Sequence, residues 1–377
     1  MNTMTHAILP GTGFRARLAA LCLTLAAAVS VAAPAASASN IDFTALNTNL
    51  ARNHILPRYE FFAGASEQLR TEMKSFCSTP SKGSLHLAQR AFNDAMDTFS
   101  EISHIRFGHI EDQNRYQRLY YWPDMDNRID QALDEALKQM DGGSELDIAR
   151  SPAEIQGFPA LGRLIFGAGA EKVLAGDKEA GDRCRLAVAI ATNIATLSGQ
   201  INAEWREGPS AYVKLLETAG SPGNGTFPTA SSATKAFLDS MTDTLKLITD
   251  VKLPLILKAA SEPGDVKTAE CWCSGRSLRN IRINLQALRE LYKGVNGAGF
   301  DDALLRTNVG WLYNDIEAAF NDAITLVNQI DESPKALLTD ARVRGQLKSL
   351  IPMVTRLKGL VEKLHQLLDR DLRVIVE

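Results

Sequence analysis

The chain has 377 residues, 45% of them hydrophobic, with 41 Lys and Arg against 44 Asp and Glu and a formal net charge of −3. That balance leaves no basic excess to release counterions from a polyanion, which excludes nucleic acid and anionic lipid as expected partners. The apolar content and the length suffice for a large buried core, at about 150 residues per domain two domains' worth.

The N-terminus reads as a secretory signal. Arg15 and Arg17 form a basic start, Leu18 to Ala33 is apolar but too short and Ala-rich for a good membrane span, and Ala36-Ser37-Ala38 offers cleavage before Ser39. Cys22 follows Ala19-Ala20-Leu21 early in that run. A lipid-attachment site wants a small residue directly before a cysteine at the end of the run, so cleavage and release into the periplasm are expected. Cleavage removes two of the 41 basic side chains and none of the 44 acidic ones, leaving 39 against 44, a net charge of −5. No second apolar stretch of spanning length follows, so the mature chain is expected to carry no transmembrane segment.

From there the periodicity is helical. Phe62, Ala65, Leu69, Met73 and Phe76 step by three and four, and after a turn at Ser81–Ser84 so do Leu85, Ala88, Phe92, Ala95, Phe99 and Ile102. A shorter helix is predicted from near Asp126, stopping at Gly142-Gly143, and Ile190, Ile194, Leu197, Ile201 and Trp205 mark a longer one. Residues 207–232, rich in Gly, Pro and Ser, read as a connecting loop. Beyond it, stripes begin at Phe237 (ending near Pro254), Leu278 (with Ser274 or Ser277 as its N-cap), Leu312 and Leu347, the last running past Pro352 with a kink. Each helix has one apolar face to bury. The predicted fold is all-α: two consecutive four-helix-bundle-like domains, 39–206 and 233–377, after a signal peptide over 1–38.

Four cysteines survive cleavage. In an oxidising compartment they are compatible with two disulfides in any of three pairings, or with buried thiols. Cys77 with Cys184 would tie two helices of the first half, whereas Cys271 and Cys273, one residue apart, can close only a strained small ring or stay reduced. No zinc-type cysteine and histidine spacing is present. The common hydrolase and nucleotide signatures are missing as well. One polar cluster, Glu101, His104, His109, Glu111 and Asp112, offers imidazole and carboxylate to a transition metal through His104, His109 and Glu111; otherwise it is an ordinary helix terminus with His104 partly buried. The run from Asn114 to Asp124 packs Arg115, Arg118 and four aromatics together. These either hold an anion in an aromatic-walled pocket or bridge helices through ion pairs, with Trp122 as a core anchor. The segment Trp272 to Ser277, with Arg276, invites the same two readings.

At these residues the chain resembles the imelysin family of bacterial envelope proteins. The resemblance rests on Arg106-Phe107-Gly108, Asn114-Arg115 with Arg118, Trp122-Pro123-Asp124, the run Gln156 to Leu161, Asp250-x-Lys252-Leu253, and Glu270-x-Trp272-x-Ser274-x-Arg276-Ser277, and it spans both halves. It implies two related helical bundles with a site near their junction, a periplasmic or membrane-associated role, and in several relatives a link to iron uptake. The family's G-x-H-x-x-E signature, whose His and Glu are its proposed metal or catalytic residues, corresponds here to Gly157-Phe158-Pro159-Ala160-Leu161-Gly162. Proline and glycine have no side-chain atom that can ligate metal or move a proton, so this motif supports no metallopeptidase chemistry, while Gly157 and Pro159 can still start a helix from Ala160 to Phe166.

The expected function is therefore a non-catalytic periplasmic binding component associated with iron uptake, working with envelope iron-uptake proteins. Its pocket between the bundles would be lined by Arg106, Arg115, Arg118, Trp122, Asp124, Trp272 and Arg276. Several arginines suit an anionic iron chelate better than bare iron, which wants hard oxygen ligands. The alternatives are a metal-dependent peptidase at a non-standard site and an envelope protein-interaction module.

Overall fold

The computed structural model describes residues 41–140, 144–208, 211–261, 267–305 and 309–374. The signal sequence and its cleavage site, and the Gly142-Gly143 stop, lie outside the described residues. No strand occurs among the described residues, and none of their helices is long and apolar enough to cross a membrane.

The first half holds α1 (Phe43–Asn49), α2 (Leu56–Ser78), α3 (Lys82–Ile102), α4 (Arg115–Leu119), α5 (Arg128–Met140), α6 (Phe158–Ile165), α7 (Ala168–Leu174) and α8 (Lys178–Arg206). The second holds α9 (Tyr212–Glu217), α10 (Ala230–Leu247), α11 (Leu253–Ser261), α12 (Ser277–Lys293), α13 (Phe300–Leu305), α14 (Gly310–Gln329), α15 (Pro334–Thr339) and α16 (Ala341–Val374). Their starts follow the side chains. Asp42 and Asp177 accept the backbone N–H groups of Ala45 and Ala180. Ser81 with Ser84, and Thr229 with Ser232, close reciprocal capping boxes for α3 and α10.

In the first half α2 lies between α3 and α8, with α5 and α6 packed against α8; in the second, α10, α16, α14 and α12 pack in that order around the set. The apolar stripes predicted along α2, α3, α8, α10, α12, α14 and α16 all bury: Phe62, Phe92, Ile194, Phe237, Leu285, Phe320 and Leu357 are each at most 1% exposed. α3 packs on α12. The N-terminal α1 reaches the second half, where Asn47 Nδ2 donates to Ala230 O at 2.7 Å and Asn49 Nδ2 to Ala298 O at 2.9 Å. Residues 39–377 accordingly form one compact unit with a continuous core.

Four local expectations are corrected. Residues 207–232 are not all loop: Val213 and Leu216 are buried, which gives the short α9 an apolar face, and α10 already starts at Ala230. The chain does not end its helix near Pro254; a π-helical turn at Ile248–Lys252 precedes α11, and Pro254 takes a first-turn position where a missing N–H is tolerated. Neither Ser274 nor Ser277 caps α12. Their hydroxyls donate instead to Cys271 O and Glu270 O, and Arg276 stands before the first turn without a side-chain cap. His104 is fully rather than partly buried.

Candidate functional site

The segment Gly157 to Gly162 starts α6. Gly157 comes so close to the chain that an added Cβ would stand 2.1 Å from Leu119 O, so only glycine fits, and Pro159 follows in the first turn. Position 162 is closed from outside: an added Cβ would meet Cys273 Sγ at 3.1 Å and Phe92 Cζ at 3.4 Å. The sulfur of Cys273 fills the space into which a longer side chain at 162 would reach. Cys271 and Cys273 are free and partly buried, as one of the two open readings had it. Burial pushes the Cys273 thiol up to about 12, reinforced by Cys271, and burial also raises Cys271, so both stay protonated near neutrality.

Pro159, Gly162 and the two cysteines back onto a cleft of about 450 Å³ through a common wall of Arg163, Lys267, Trp272 and Cys273. Four cationic residues line this cleft, Arg163, Lys172, Arg183 and Lys267, against two acids, Asp130 and Asp134. Arg163 donates to Asp124 Oδ2 at 2.8 Å and to Asp130, and its guanidinium lies 5.6 Å from the Trp272 ring centroid. Lys267 Nζ reaches Asp130 Oδ2 at 2.9 Å. Burial alone would raise the Asp130 carboxyl; hydrogen bonds from Lys267 and Arg163 outweigh it and hold the group below its ordinary value. Arg183 is 7% exposed, and burial lowers its pKa against the pull of Glu179 and Asp134. The buried Trp272 Nε1 has no hydrogen-bond partner among the described residues.

Of the residues expected in one pocket, the structure brings together Trp122 and Trp272 beside Cys271. Asp124 sits next to them in another role, accepting the first N–H groups of α5 from Arg128 (2.7 Å) and Ile129 (3.3 Å) while paired with Arg163. The predicted arginines do not converge there. Arg115 grips Glu204 with both terminal nitrogens, Arg118 donates to Gln156 Oε1 at 2.6 Å, and Arg276 bridges to Asn93 and Asp97 on α3. Arg106 pairs with Glu111 at 2.8 Å and lies 3.5 Å above the Tyr116 ring. The metal trio is likewise divided. His104 meets His54 at 2.9 Å between Nε2 atoms, and burial pushes it down to about 3; Glu111 belongs to Arg106. His109 groups instead with Asp112 and Glu204, three ligand atoms within 4.8 Å of one another. Cys77 and Cys184 form a disulfide across α2 and α8, Cα atoms 5.5 Å apart.

The cationic residues of the cleft escaped sequence reading because they come from α6, α7, α8 and the segment before Trp272, with no shared motif. The one sequence signal available was Arg163, next to Gly162.

Two helical sets share one core, with the basic cleft lying against α5, α6, α7 and α8 and the segment of Trp272, in an all-α architecture. The imelysin family model matches residues 55–364, and the chain belongs to that family. Among solved structures, a candidate iron-regulated protein A precursor from Parabacteroides distasonis is similar at 16% identity and a TM-score of 0.71, covering 85% of this chain and 94% of that one. An imelysin-like protein from Psychrobacter arcticum is similar at 15% identity and a TM-score of 0.68, covering 85% and 92%. At those identities the likeness concerns the fold. No curated protein sequence matches significantly.

Proposed function

We propose that this imelysin-family protein is a non-catalytic periplasmic binding component associated with iron uptake, taking an anionic iron chelate in the cleft between α5, α6, α7 and α8. The observation that carries the reading is a basic cleft beside the start of α6, where Pro159 and Gly162 stand. Pro159 and Gly162 offer no ligand or proton-transfer atom, Cys273 occupies the space in front of Gly162, and Arg163, Lys172, Arg183 and Lys267 line the cleft with two acids, Asp130 and Asp134. Guanidinium and ammonium groups bind carboxylates, whereas bare ferric ion wants oxygen ligands that this wall keeps occupied with its own cations. The iron-regulated name of one structural relative and the signal-like N-terminus support the iron link and the periplasmic location. Equilibrium dialysis of the chain from Ser39 onward against ferric citrate and against uncomplexed iron tests it. Retention of the citrate complex, weakened at least about tenfold by Arg163→Met with Lys267→Met, is expected. Retention of neither form ends the proposal.

A second reading, a metal-dependent peptidase at His109, Asp112 and Glu204, draws on the grouping of those three ligand atoms. Arg115 already takes both oxygens of Glu204, and Asp112 is bonded to His109 Nδ1 at 2.8 Å, which leaves a cation little free charge to bind. Elemental analysis of protein isolated from its native compartment, with a protease assay with and without chelator, separates the two readings.

A further inference from the structure

Cys271 and Cys273 lie outside the disulfide, and the fold turns both toward one small space. They line a cavity of about 20 Å³, room for a single water-sized body, with Phe92, Tyr120, Trp122 and Phe158 among its walls. Cys273 also lines the larger basic cleft, which is the route to solvent. The turn between the two cysteines is closely bonded. Ser274 N–H donates to Cys271 O at 3.1 Å, Gly275 N–H to Trp272 O at 3.3 Å, and Ser274 Oγ to Cys271 O at 3.2 Å. Cys271 stands at φ +47°, in the left-handed region that a residue with a side chain rarely adopts. Such a conformation persists only where its surroundings hold it, and it gathers at functional sites.

The surroundings of the two sulfurs favour charge on them in spite of burial. Burial raises both thiols, but Arg276 pulls against it at Cys271, and Arg163 with the backbone N–H groups of Cys273 and Ser274 pulls against it at Cys273. The thiols are close enough that Cys271 adds to the rise at Cys273. Asn280 Nδ2 donates to Cys271 Sγ at 3.6 Å. The adjoining carboxylate is occupied: Glu270 Oε1 accepts from Tyr120 Oη and from Lys252 Nζ, which also donates to Asn284 Oδ1, all at 2.8 Å. Among the described residues no group of three His, Cys, Asp or Glu ligand atoms includes either cysteine. Structural zinc wants four ligands and hard iron wants oxygen, so this pair suits neither. Two sulfurs in a largely aromatic pocket suit a soft ion satisfied by two ligands, and thiolate selects Cu(I).

We propose that Cys271 and Cys273 bind one Cu(I) ion between their sulfurs, in the cavity beside α6. Two S–H bonds break, two Cu–S bonds form, and both protons leave to solvent. The resulting bis-thiolate complex carries one negative charge, within electrostatic reach of the Arg163 and Arg276 guanidinium groups. The aromatic walls limit the access of water to the ion. The site shares Arg163 and Trp272 with the basic cleft but takes its ion through sulfur, so the proposal stands whether or not an iron chelate binds there.

The chain from Ser39 onward, with its Cys77–Cys184 bond intact, is titrated anaerobically with Cu(I) held by bicinchoninate, ascorbate keeping the copper reduced. One equivalent is expected to pass from the chelator to the protein, with two protons released at neutral pH and an ultraviolet thiolate-to-copper charge-transfer band. Cys271→Ser and Cys273→Ser remove a ligand each and should weaken binding at least about a hundredfold, the upper end of what loss of an outer partner costs. Helical circular dichroism checks the fold of each variant. X-ray absorption of the wild-type complex, expected to show two sulfur neighbours, keeps the test decisive if a variant fails to fold. A chelator that loses no copper, copper coordinated by nitrogen or oxygen alone, or undiminished binding in both serine variants overturns the proposal.

Discussion

Replacing both Cys77 and Cys184 with serine opens a crosslink with a sequence separation of 107 residues that joins the C-terminal end of α2 to the N-terminal turns of α8. These helices pack along their lengths and carry Phe62, Leu69, Ile190 and Ile194 into the core, so the folded state keeps its contacts without the bond. The loss falls on the unfolded chain, which regains the freedom of a long loop. On the chain-entropy relation a loop of this length is worth about 4.7 kcal/mol, and native disulfides removed from folded domains cost about 2–5 kcal/mol. Cys184 is 6% exposed, so a serine hydroxyl there adds a desolvation cost rather than relieving one. Urea unfolding of the chain from Ser39 onward, followed by helical circular dichroism, should show a lower midpoint in the double variant and in dithiothreitol-treated protein alike. Thiol titration of the unfolded, unreduced chain should find two reactive cysteines, Cys271 and Cys273. Four titrating thiols, or a midpoint indifferent to reduction, would refute the argument.

Three further outcomes follow from single side chains. Burial raises the Asp301 carboxyl to about 6, so the folded chain holds this proton more tightly than the unfolded one. Its contribution is therefore full below about pH 4 and lost as pH rises to about 6, at most about 3 kcal/mol, and Asp301→Asn should remove that slope from a pH series of urea midpoints. Gly162→Glu should destabilise by about 1–3 kcal/mol by driving into Cys273 and Phe92, with part recovered in Gly162→Glu/Cys273→Ala; equal stability of the single variant and the wild type contradicts the crowding seen at that position. Arg276 and Arg279 both hold Asp97, but their side chains are 3% and 41% exposed, so Arg276→Ala should cost about 3 kcal/mol and Arg279→Ala at most about 1 kcal/mol by the same unfolding assay.

Periodicity alone determined the helical class and the buried faces of all seven long helices, because the spacing of apolar residues along a helix is a local property written at intervals of three and four. The missing ligand chemistry at Pro159 and Gly162 was equally legible, since it depends on atoms those residues lack wherever they sit. The site was not legible. Arg115, Arg118 and Arg276 read in sequence either as ligand holders or as bridges, and each finds a partner on a segment remote in the chain, Glu204, Gln156 or Asp97, that no spacing rule connects to it. Conversely Arg163, Lys172, Arg183 and Lys267 share no motif and become one basic wall only when α6, α7 and α8 pack beside the segment that carries Trp272. Lys252, Glu270 and Asn284 meet in the same way, across 32 residues of sequence from the first to the last. Which charges neutralise each other and which remain for a ligand is decided by distances of a few ångströms between segments remote in the chain, and those distances exist only in the folded protein.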